Sequence, residues 1–377
     1  MRILLTGGGT GGHIYPLLAV AEELEIIARE KGIDLEVRYL GAPAEFAHLL
    51  EEKNIPVARI LGSKWRRYFD LRNFIDIPKF FVSFLQALCK VLFFMPDVLF
   101  SKGGPGSLPV VWAARFYRIP VLLHDSDSIP GLSNQIAGQY SQRIAISFEY
   151  AKQFFSGDVA LVGNPIRRSL IEPDVQLAAG GAKEILGFQK GKPLILVMAG
   201  SQGSVRINDF ILDAANQLIK ESQIFHQTGF DNFESVKGER EVVVKDWSEE
   251  EKQSYRIVPY LENDYKAALE AADLVISRAS SGSIFEIAFF GKPSILIPLP
   301  EAAQDHQVKN AYEYARGGAA IVIETDNLTL NIFLAQIRNL LSNPEKLKLM
   351  SGAARQFSKP EAGRIIAEEI LRLGSKG

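Results

Sequence analysis

A glycine turn followed by a histidine is the first place in the sequence where residue types and spacing point to chemistry. Five glycines and one threonine occupy residues 7–12, and His13 follows directly. A helical pattern starts at Pro16, so free backbone N–H groups and a helix dipole can face an anion or another ligand. An imidazole there can accept a proton near neutral pH. We interpret His13 as a candidate general base, with simple capping of the backbone as the alternative.

Two common nucleotide-binding loops do not fit this turn. The glycines match the spacing G-x-G-x-x-G, but the predicted second strand at 35–40 is followed by a glycine, whereas a dinucleotide site needs an acidic residue there. A P-loop requires a lysine and a serine or threonine after the last glycine, and His13 and Ile14 stand at those positions. The turn alone therefore does not identify a ligand.

Further polar loops follow two later strands of the first half. The glycine-rich loop SKGGPGS at 101–107 allows close backbone approach to a ligand, or forms a tight turn. The sequence HDSD at 124–127 places a histidine and two carboxylates at the end of the next strand. Such a group is suited to general-base or hydroxyl-binding roles. Alternatively, Asp127 or Ser128 caps the following helix.

The second half contains three similar segments. The loop AGSQGSVRIN at 199–208 offers backbone N–H and hydroxyl donors to a phosphate at a helix N-terminus. The segment SRASSGSIFE at 277–286 runs into a helix in which Glu286 can accept both hydroxyls of a ribose, or only complement the helix dipole. The cluster QDHQ at 304–307 supplies hydrogen-bonding groups suited to a sugar ring.

Strand-like runs that alternate with helical patterns position all of these loops, which predicts an α/β protein with parallel sheets. A chain of 377 residues favours two domains. We predict two doubly wound domains that face one cleft, joined around Gly163-Asn164-Pro165, with ligands beyond the carboxyl ends of the strands. The predicted strands are 3–6, 35–40, 57–60, 98–101, 120–124, 143–147, 159–162, 194–199, 222–226, 255–259, 274–277, 294–298 and 319–323.

Composition excludes several classes of protein. The hydrophobic share of 47% and the charged share of 23% are those of a globular protein, and the net charge of −2 gives no general attraction to nucleic acid. Cys89 is the single cysteine, so we expect no internal disulfide and a cytosolic setting. The five histidines show no structural-zinc spacing. The first apolar run is too short for a signal peptide.

The region from Lys64 to Met95 mixes cations, aromatic rings and a long apolar run. The run is too short for a comfortable membrane span and contains Lys90. Aromatic rings beside cations are typical of a surface that binds anionic lipid headgroups. We predict membrane-surface contact, although part of the run must pack on the sheet, for which we expect Phe81, Phe84, Leu88 and Val91.

Seven segments in this order resemble the MurG family within glycosyltransferase family 28. They are GGGTGGH, SKGGPGS, HDSD with IPGLSN, VGNPIR, AGSQGSVRIN, SSGSIFEI and QDHQVKNA. The resemblance implies a GT-B fold, with an acceptor domain at 1–163, a donor domain at 164–357 and a helix at 358–377 that returns to the first domain. It also implies transfer of N-acetylglucosamine from UDP-GlcNAc to lipid I, which gives the peptidoglycan precursor lipid II.

The resemblance assigns the donor-binding residues by motif. The implied contacts are Arg167, Ser201 and Gln202 for the diphosphate, with Asn208 behind them; Glu286 for the ribose; Leu261 for the uracil, with Tyr260 beside it; Ser281, Gly282 and Ser283 for the nucleotide; His306 and Gln307 for the sugar; and Thr10, Gly11 and Gly12 in the first glycine turn. The match also places that turn and His13 on the acceptor side.

On the acceptor side the implied residues are Gly104, Gly106, Ser107, His124, Asp125 and Asp127. The implied membrane patch comprises Trp65, Arg66, Phe69, Phe80, Phe84 and Phe93. The family usually has His-Glu-Gln-Asn where this chain has HDSD, and a tyrosine where it has Pro105. Both departures lie on the acceptor side, so the acceptor is less firmly implied than the donor.

The mechanism implied is an inverting single displacement, in which the acceptor C4 hydroxyl loses its proton to His13 or, as second choice, Asp125. No cofactor or metal is expected, because the helix N-terminus near Ser201 and Arg167 supply the positive potential that the departure of UDP requires. Asp125-Ser126-Asp127 has the Asp-x-Asp spelling of a metal-binding motif, but it lies in the acceptor domain. The expected location is the cytoplasmic face of the cell membrane, with cell-wall synthesis proteins as candidate partners. The alternatives are another GT-B enzyme, such as a lipid galactosyltransferase or a UDP-GlcNAc 2-epimerase, and a non-catalytic UDP-sugar-binding protein.

Overall fold

The chain folds into two compact α/β units in the computed structural model, which describes residues 1–62, 73–175, 177, 181–200, 202–299 and 305–375. One unit comprises Met1–Ile171 with Lys359–Gly377, and the other comprises Glu172–Ser358. The division falls after Ile171 rather than after residue 163, because the Gly163-Asn164 segment is tied to the first unit. His124 bonds to the carbonyl of Gly163, and Ser126 bonds to the side chain of Asn164.

Each unit is built on one parallel sheet. The first sheet has the order β3-β2-β1-β4-β5-β6-β7 and the second the order β10-β9-β8-β11-β12-β13. In the first unit the strands are β1 Arg2–Thr6, β2 Glu36–Gly41, β3 Val57–Arg59, β4 Val98–Ser101, β5 Val121–Asp125, β6 Arg143–Ile146 and β7 Val159–Leu161. In the second they are β8 Leu194–Met198, β9 Gln223–Gln227, β10 Tyr255–Val258, β11 Leu274–Ser277, β12 Ser294–Leu296 and β13 Ala320–Val322.

All thirteen predicted strands are confirmed, with ends that shift by at most two residues. Most are short runs of Leu, Ile and Val, and central strands such as β4 and β8 are buried along their whole length. Strands covered by helices on both faces lack alternation and show continuous apolar runs. Burial on both faces therefore explains why the sequence locates the strands so well.

Helices connect the strands in each unit. Those of the first unit are α1 Gly11–Lys31, α2 Ala47–Glu52, α3 Asn73–Phe94, α4 Leu108–Phe116, α5 Leu132–Gly138 and α6 Arg168–Ile171. Those of the second are α7 Ala182–Ile185, α8 Val205–Leu218, α9 Phe233–Val243, α10 Glu249–Gln253, α11 Tyr265–Ala271, α12 Ser281–Phe289, α13 His306–Arg316, α14 Leu330–Leu341 and α15 Pro344–Phe357. Helix α16, Ala362–Gly374, ends the described chain.

Helix α1 starts inside the glycine turn, five residues before the start that the apolar periodicity indicates. Gly11 is its first residue, and the carbonyl of Thr10 accepts from the N–H groups of His13 and Ile14. Pro16 lies within the helix and is buried. Because His13 belongs to the first turn, its side chain is fixed relative to the sheet.

The last helix, α16, packs on α1 in the first unit. Its buried residues are Ala362, Gly363, Ile366, Ala367, Ile370, Leu371 and Leu373, which join the core that also contains Ile3, Leu5 and Val98. The exposed face carries Ile365 and charged residues. This amphipathic helix completes the hydrophobic core of the first unit.

We expect Ile370→Ala to lower the free energy of unfolding of the first unit by about 2–5 kcal/mol, because it leaves a cavity in that core. The matched control is Ile365→Ala on the same helix, where the side chain is 48% exposed. That change should stay within about 0.5 kcal/mol. Urea unfolding checks both variants, and equal losses in the two would show that α16 does not contribute to the core.

Candidate active site

In each unit, two of the predicted ligand-binding loops lie at the point where the strand order reverses. In the first sheet β1 and β4 are neighbours, and in the second β8 and β11 are neighbours. At such a point the chain leaves adjacent strands in opposite directions, which opens a crevice beyond their carboxyl ends. The predicted loops at 7–12 and 102–107 follow β1 and β4, and those at 199–204 and 278–280 follow β8 and β11.

The imidazole of His13 lies against two glycines in the first unit. A Cβ atom added to Gly8 would lie 2.8 Å from Nδ1, and one added to Gly104 would lie 3.0 Å from Nε2. Nδ1 is 2.7 Å from the hydroxyl oxygen of Thr10. The pKa of His13 is lowered to about 4, mainly by burial and in addition by the Lys102 ammonium, whereas Asp127 opposes the shift. The imidazole is therefore uncharged at neutral pH.

Asn134 links the loops that follow β4 and β5. Its Oδ1 accepts from the backbone N–H of Gly104 at 2.9 Å, and its Nδ2 donates to Oδ2 of Asp125 at 2.6 Å. A Cβ on Gly103 would lie 2.1 Å from Oδ1 of Asn134, and the φ of Gly103 is +83°. Only glycine fits this contact, so the loop that carries Gly104, Gly106 and Ser107 is held close to Asp125.

Asp125 is buried and both of its oxygens are engaged. Oδ1 accepts from the N–H of Asp127 at 2.9 Å, while Oδ2 accepts from Asn134. Burial raises the pKa of Asp125 to about 6, and repulsion from Asp127 adds to the rise, whereas Asn134 and Lys102 oppose it. This carboxylate therefore holds two loops together, and Asp127 is the more exposed of the two acids.

His124 points into the core of the first unit. Its Nε2 lies 2.9 Å from the carbonyl of Gly163, and Nδ1 is buried without a hydrogen-bond partner. Burial lowers the pKa of His124 well below its ordinary value, and Lys102 adds to this. A neutral imidazole that donates to Gly163 anchors the segment after β7. Ser107 is also buried, and its hydroxyl donates to the carbonyl of Gly104 at 2.8 Å.

In the second unit, two loops touch through their backbones. A Cβ on Gly229 would lie 2.2 Å from Cα of Gly203, and both glycines have positive φ angles. The side chain of Asn232 donates to the carbonyl of Gln202 at 3.0 Å. The loop after β8 is thus fixed by the loop after β9. Ser201, which belongs to the same loop, lies outside the described residues.

A directed chain of hydrogen bonds supports these loops from the interior. Nδ2 of Asn208 donates to the carbonyl of Thr228 at 3.0 Å, so its Oδ1 accepts from Nε2 of His226 at 3.0 Å. The hydroxyl of Tyr255 then donates to Nδ1 of His226 at 3.1 Å. Burial lowers the pKa of His226 to about 3. The sequence analysis identified Asn208 but missed His226 and Tyr255.

Arg278 is a further residue that the sequence analysis missed. Its Nη1 donates to the carbonyls of Ala199 and Gly203 at 3.3 and 3.4 Å. Its Nε is buried without a hydrogen-bond partner, and burial lowers the pKa of Arg278. A guanidinium held by neutral carbonyls beside a loop of N–H donors suits a phosphate. An arginine directly after a buried strand was the available signal.

The start of α12 and the strand ends near it carry the other predicted donor residues. Ser280 caps the helix by accepting from the N–H of Ser283, ahead of Ser281 and Gly282. Oε2 of Glu286 accepts from the hydroxyl of Tyr265 at 2.5 Å. The N–H of Leu261 donates to Gln227 at 3.1 Å, and Tyr260 stacks on Phe230.

The remaining predicted donor residues have separate environments. His306 begins α13, where Oε1 of Gln307 accepts from the N–H of Leu299 at 3.2 Å. Gln304 lies outside the described residues. Arg167 belongs to the first unit, where its guanidinium lies 4.7 Å above the ring of Tyr15.

Helix α3 carries the part of the predicted membrane patch that the structure describes. Phe93 is 88% exposed, but Phe80 is only 7% exposed and packs on Trp112. The expectation that Phe80 lies on the surface is wrong, as is the expectation that Phe81 lies in the core, since Phe81 is exposed. Phe84 is partly buried against Trp112. Packing on α4 determines which face of α3 is buried. The apolar pattern of the sequence did not, because the helix is apolar on most faces.

The exposed apolar residues of α3 are Phe81, Val82, Leu85, Leu92 and Phe93. Lys79 and Lys90 are exposed as well and are eleven residues apart, so they share one edge of this surface. Trp65, Arg66 and Phe69 lie outside the described residues. No helix in the described part of the chain is long and apolar enough to cross a bilayer. The described residues also contain no group of three side chains able to hold a metal ion.

Two parallel-sheet units with loops at both switch points are typical of the GT-B fold, and comparison with known proteins gives the family. Residues 3–146 match the glycosyltransferase family 28 N-terminal domain, and residues 194–365 match the C-terminal domain. The chain belongs to glycosyltransferase family 28, as a member of its MurG group.

Three similar proteins illustrate the match. The UDP-N-acetylglucosamine--N-acetylmuramyl-(pentapeptide) pyrophosphoryl-undecaprenol N-acetylglucosamine transferase 2 of Bacillus anthracis is 33% identical over 98% of this chain and 99% of its own length. The crystal structure of Acinetobacter baumannii MurG has a TM-score of 0.74 and 26% identity, covering 98% and 99% of the two chains. A UDP-GlcNAc 2-epimerase from Neisseria meningitidis, with a TM-score of 0.68 and 15% identity over 99% and 100% of the chains, shares the fold.

The buried His226 predicts a pH dependence of stability. Its pKa is lowered to about 3 in the folded chain, against 6.5 for an ordinary histidine, so between these values the unfolded chain binds one more proton. Stability should therefore fall as the pH drops below about 6.5, by up to about 1.4 kcal/mol per pH unit from this group. His226→Gln should make the slope shallower by that amount in urea unfolding of the second unit. An exposed control, His48→Gln, should keep the wild-type slope, and an unchanged slope in His226→Gln would contradict the assignment.

Proposed function

We propose that this protein transfers N-acetylglucosamine from UDP-GlcNAc to the C4 hydroxyl of the N-acetylmuramyl sugar of lipid I, forming lipid II with inversion and without a metal. The single observation that carries the proposal is a relative 33% identical along nearly the whole chain, whose name states this sugar transfer. The first unit binds the acceptor, and the second binds the donor.

The second unit has the features that a UDP-sugar needs. The loop after β8 and the start of α12 present backbone N–H groups, and Arg278 adds a cation. We assign Glu286 to accept from the ribose hydroxyls, while its carboxylate also accepts from the hydroxyl of Tyr265. Because the N–H of Leu261 is bound by Gln227, its carbonyl is the group we assign to the uracil. The diphosphate contacts of Arg167, Ser201 and Gln202, and the donor contacts of the first glycine turn, remain predictions.

The environment of His13 supports its role as the general base. If Nδ1–H donates to the Thr10 hydroxyl, the lone pair on Nε2 can accept the proton of the acceptor hydroxyl. The oxygen then attacks the anomeric carbon while the bond to UDP breaks on the opposite face. Both oxygens of Asp125 are occupied by loop contacts, which favours His13 over Asp125. We assign His124, which is bound to Gly163, a positioning role.

The test is UDP release from UDP-GlcNAc with a short-chain lipid I analogue in EDTA. We expect release that depends on the acceptor, and a kcat lowered by about 10²–10⁴-fold in His13→Ala, since removal of a general base has this effect. UDP binding to the variant should persist. The control His48→Ala, at an exposed histidine, should retain activity.

Three outcomes would each contradict a different part of the proposal. Activity lost in EDTA and restored by Mg²⁺ would refute the metal-free departure of UDP. A loss below tenfold in His13→Ala would move the base to another residue. UDP binding without turnover on a lipid acceptor, or conversion of UDP-GlcNAc to its 2-epimer, would refute the transfer itself.

We further propose that the exposed face of α3 docks on an anionic membrane surface on the cytoplasmic side, with the chain peripheral to the membrane. The apolar side chains of this face would enter the acyl boundary, and Lys79 and Lys90 would approach the headgroups. A lipid-linked acceptor and a membrane-facing helix in the same unit are consistent with each other.

Vesicle binding tests this surface. Phe81→Ser combined with Phe93→Ser should weaken binding to phosphatidylglycerol vesicles by more than about tenfold, because each ring contributes about 1.5–3 kcal/mol when buried. High salt should weaken the wild-type interaction as well. The control is Leu349→Ser on α15, an equally exposed apolar residue outside the patch. Equal binding of the double variant and the control would refute the docking face.

A further inference from the structure

Lys102 is a buried cation that the mechanism above does not use. It follows β4 directly, its backbone N–H donates to the carbonyl of Thr6, and only 2% of the residue is exposed. Lysine is rarely buried unless its charge is paired. Its position between the glycine turn and the loop after β5 therefore requires an explanation.

The ammonium of Lys102 joins three segments of the first unit. Nζ donates to the hydroxyl of Ser126, and that hydroxyl donates to Oδ1 of Asn164 at 2.9 Å. Ser126 lies in the HDSD loop, and Asn164 lies in the segment after β7. These hydrogen bonds thus connect the end of β4 with the HDSD loop and with the segment after β7, the same two segments that His124 links through Gly163.

The same ammonium faces the titratable groups of the acceptor-side site. These groups are His13 from α1, His124 and Asp125 from β5, and Asp127 from the loop beyond it. At neutral pH the two histidines are uncharged and Asp125 is ionised, so the ammonium balances the negative charge of a buried carboxylate. Burial lowers the pKa of Lys102 to about 8, while Asp125 and Asp127 oppose that shift.

We propose that Lys102 is a positioning residue of the acceptor-side site, which holds the HDSD loop through Ser126 and supplies the positive charge that faces His13, Asp125 and Asp127. This inference rests on the proposed function of that site. Its consequence is that the ammonium lowers the pKa of His13, so the imidazole takes up a proton only at a lower pH than it would beside the carboxylates alone. Without the ammonium, the nearby carboxylates would favour the protonated imidazole.

The test removes the charge in two ways. Lys102→Met replaces the side chain with an uncharged one of similar length, and Lys102→Gln keeps a donor for Ser126. The titration of His13 is followed by NMR of histidine-labelled protein, with the resonance assigned through His13→Ala. In both variants we expect the His13 midpoint to rise by about one pH unit, because a like charge nearby shifts a pKa by about that much or more. The acid limb of kcat/KM should move in the same direction.

Ser126→Ala serves as the matched control, because it removes the hydrogen bond while leaving the ammonium in place. We expect the His13 midpoint to stay at the wild-type value and the KM for the lipid acceptor to rise several-fold. Such a split separates the electrostatic effect from the loop contact. If Lys102 had only a structural role, its replacement would lower the thermal midpoint of unfolding without moving the His13 titration.

An unchanged His13 midpoint in whichever charge-removing variant folds would overturn the inference. The NMR titration needs no turnover, so it distinguishes this failure from a failure of the proposed function. If the wild-type protein lacks transferase activity but the His13 midpoint still rises in the Lys102 variants, the charge arrangement is supported and only the proposed reaction is refuted.

Discussion

The geometry of each unit depends on one constraint of parallel sheets, the reversal of strand order between two neighbouring strands. Because the chain leaves β1 and β4, or β8 and β11, in opposite directions, the loops beyond them surround a crevice. Glycine at the contact points lets the backbone of these loops approach neighbouring atoms more closely than a Cβ atom would allow, as at Gly103 beside Asn134 and at Gly203 beside Gly229. The crevice of each unit is therefore lined by N–H groups and by side chains held in fixed positions.

The two units carry different side chains at their equivalent strand-order reversals. In the first unit, the Lys102 ammonium lowers the pKa values of both His13 and Asp125, and Asp125 in turn raises that of Lys102, an arrangement suited to proton transfer. In the second unit, the residues behind the loops form a neutral network around His226, while Arg278 supplies positive charge at the loop itself. This second arrangement suits an anion that is bound and later released.

Helix α3 shows how one element can serve the core and the surface. Its buried side includes Ala87 and Val91, which pack beneath α4, while Phe81 and Phe93 remain exposed on the opposite side. An exposed apolar face of this kind is unusual on the surface of a protein. The described residues thus support a surface function for a helix whose sequence looks like that of a core element.

The sequence by itself determined the thirteen strands, the two-sheet architecture and the family, because strands buried on both faces leave continuous apolar runs and the loops between them keep recognisable glycine and polar motifs. Local pattern did not determine the start of α1 or the rotation of α3, which exchanged the positions of Phe80 and Phe81. It also missed Lys102, His226 and Arg278. Their roles depend on contacts between residues far apart in the chain, such as Lys102 with Ser126 and Arg278 with Ala199. Only tertiary packing brings those partners together. Burial then strengthens their electrostatic interactions and hydrogen bonds, because the protein interior has a lower dielectric constant than water.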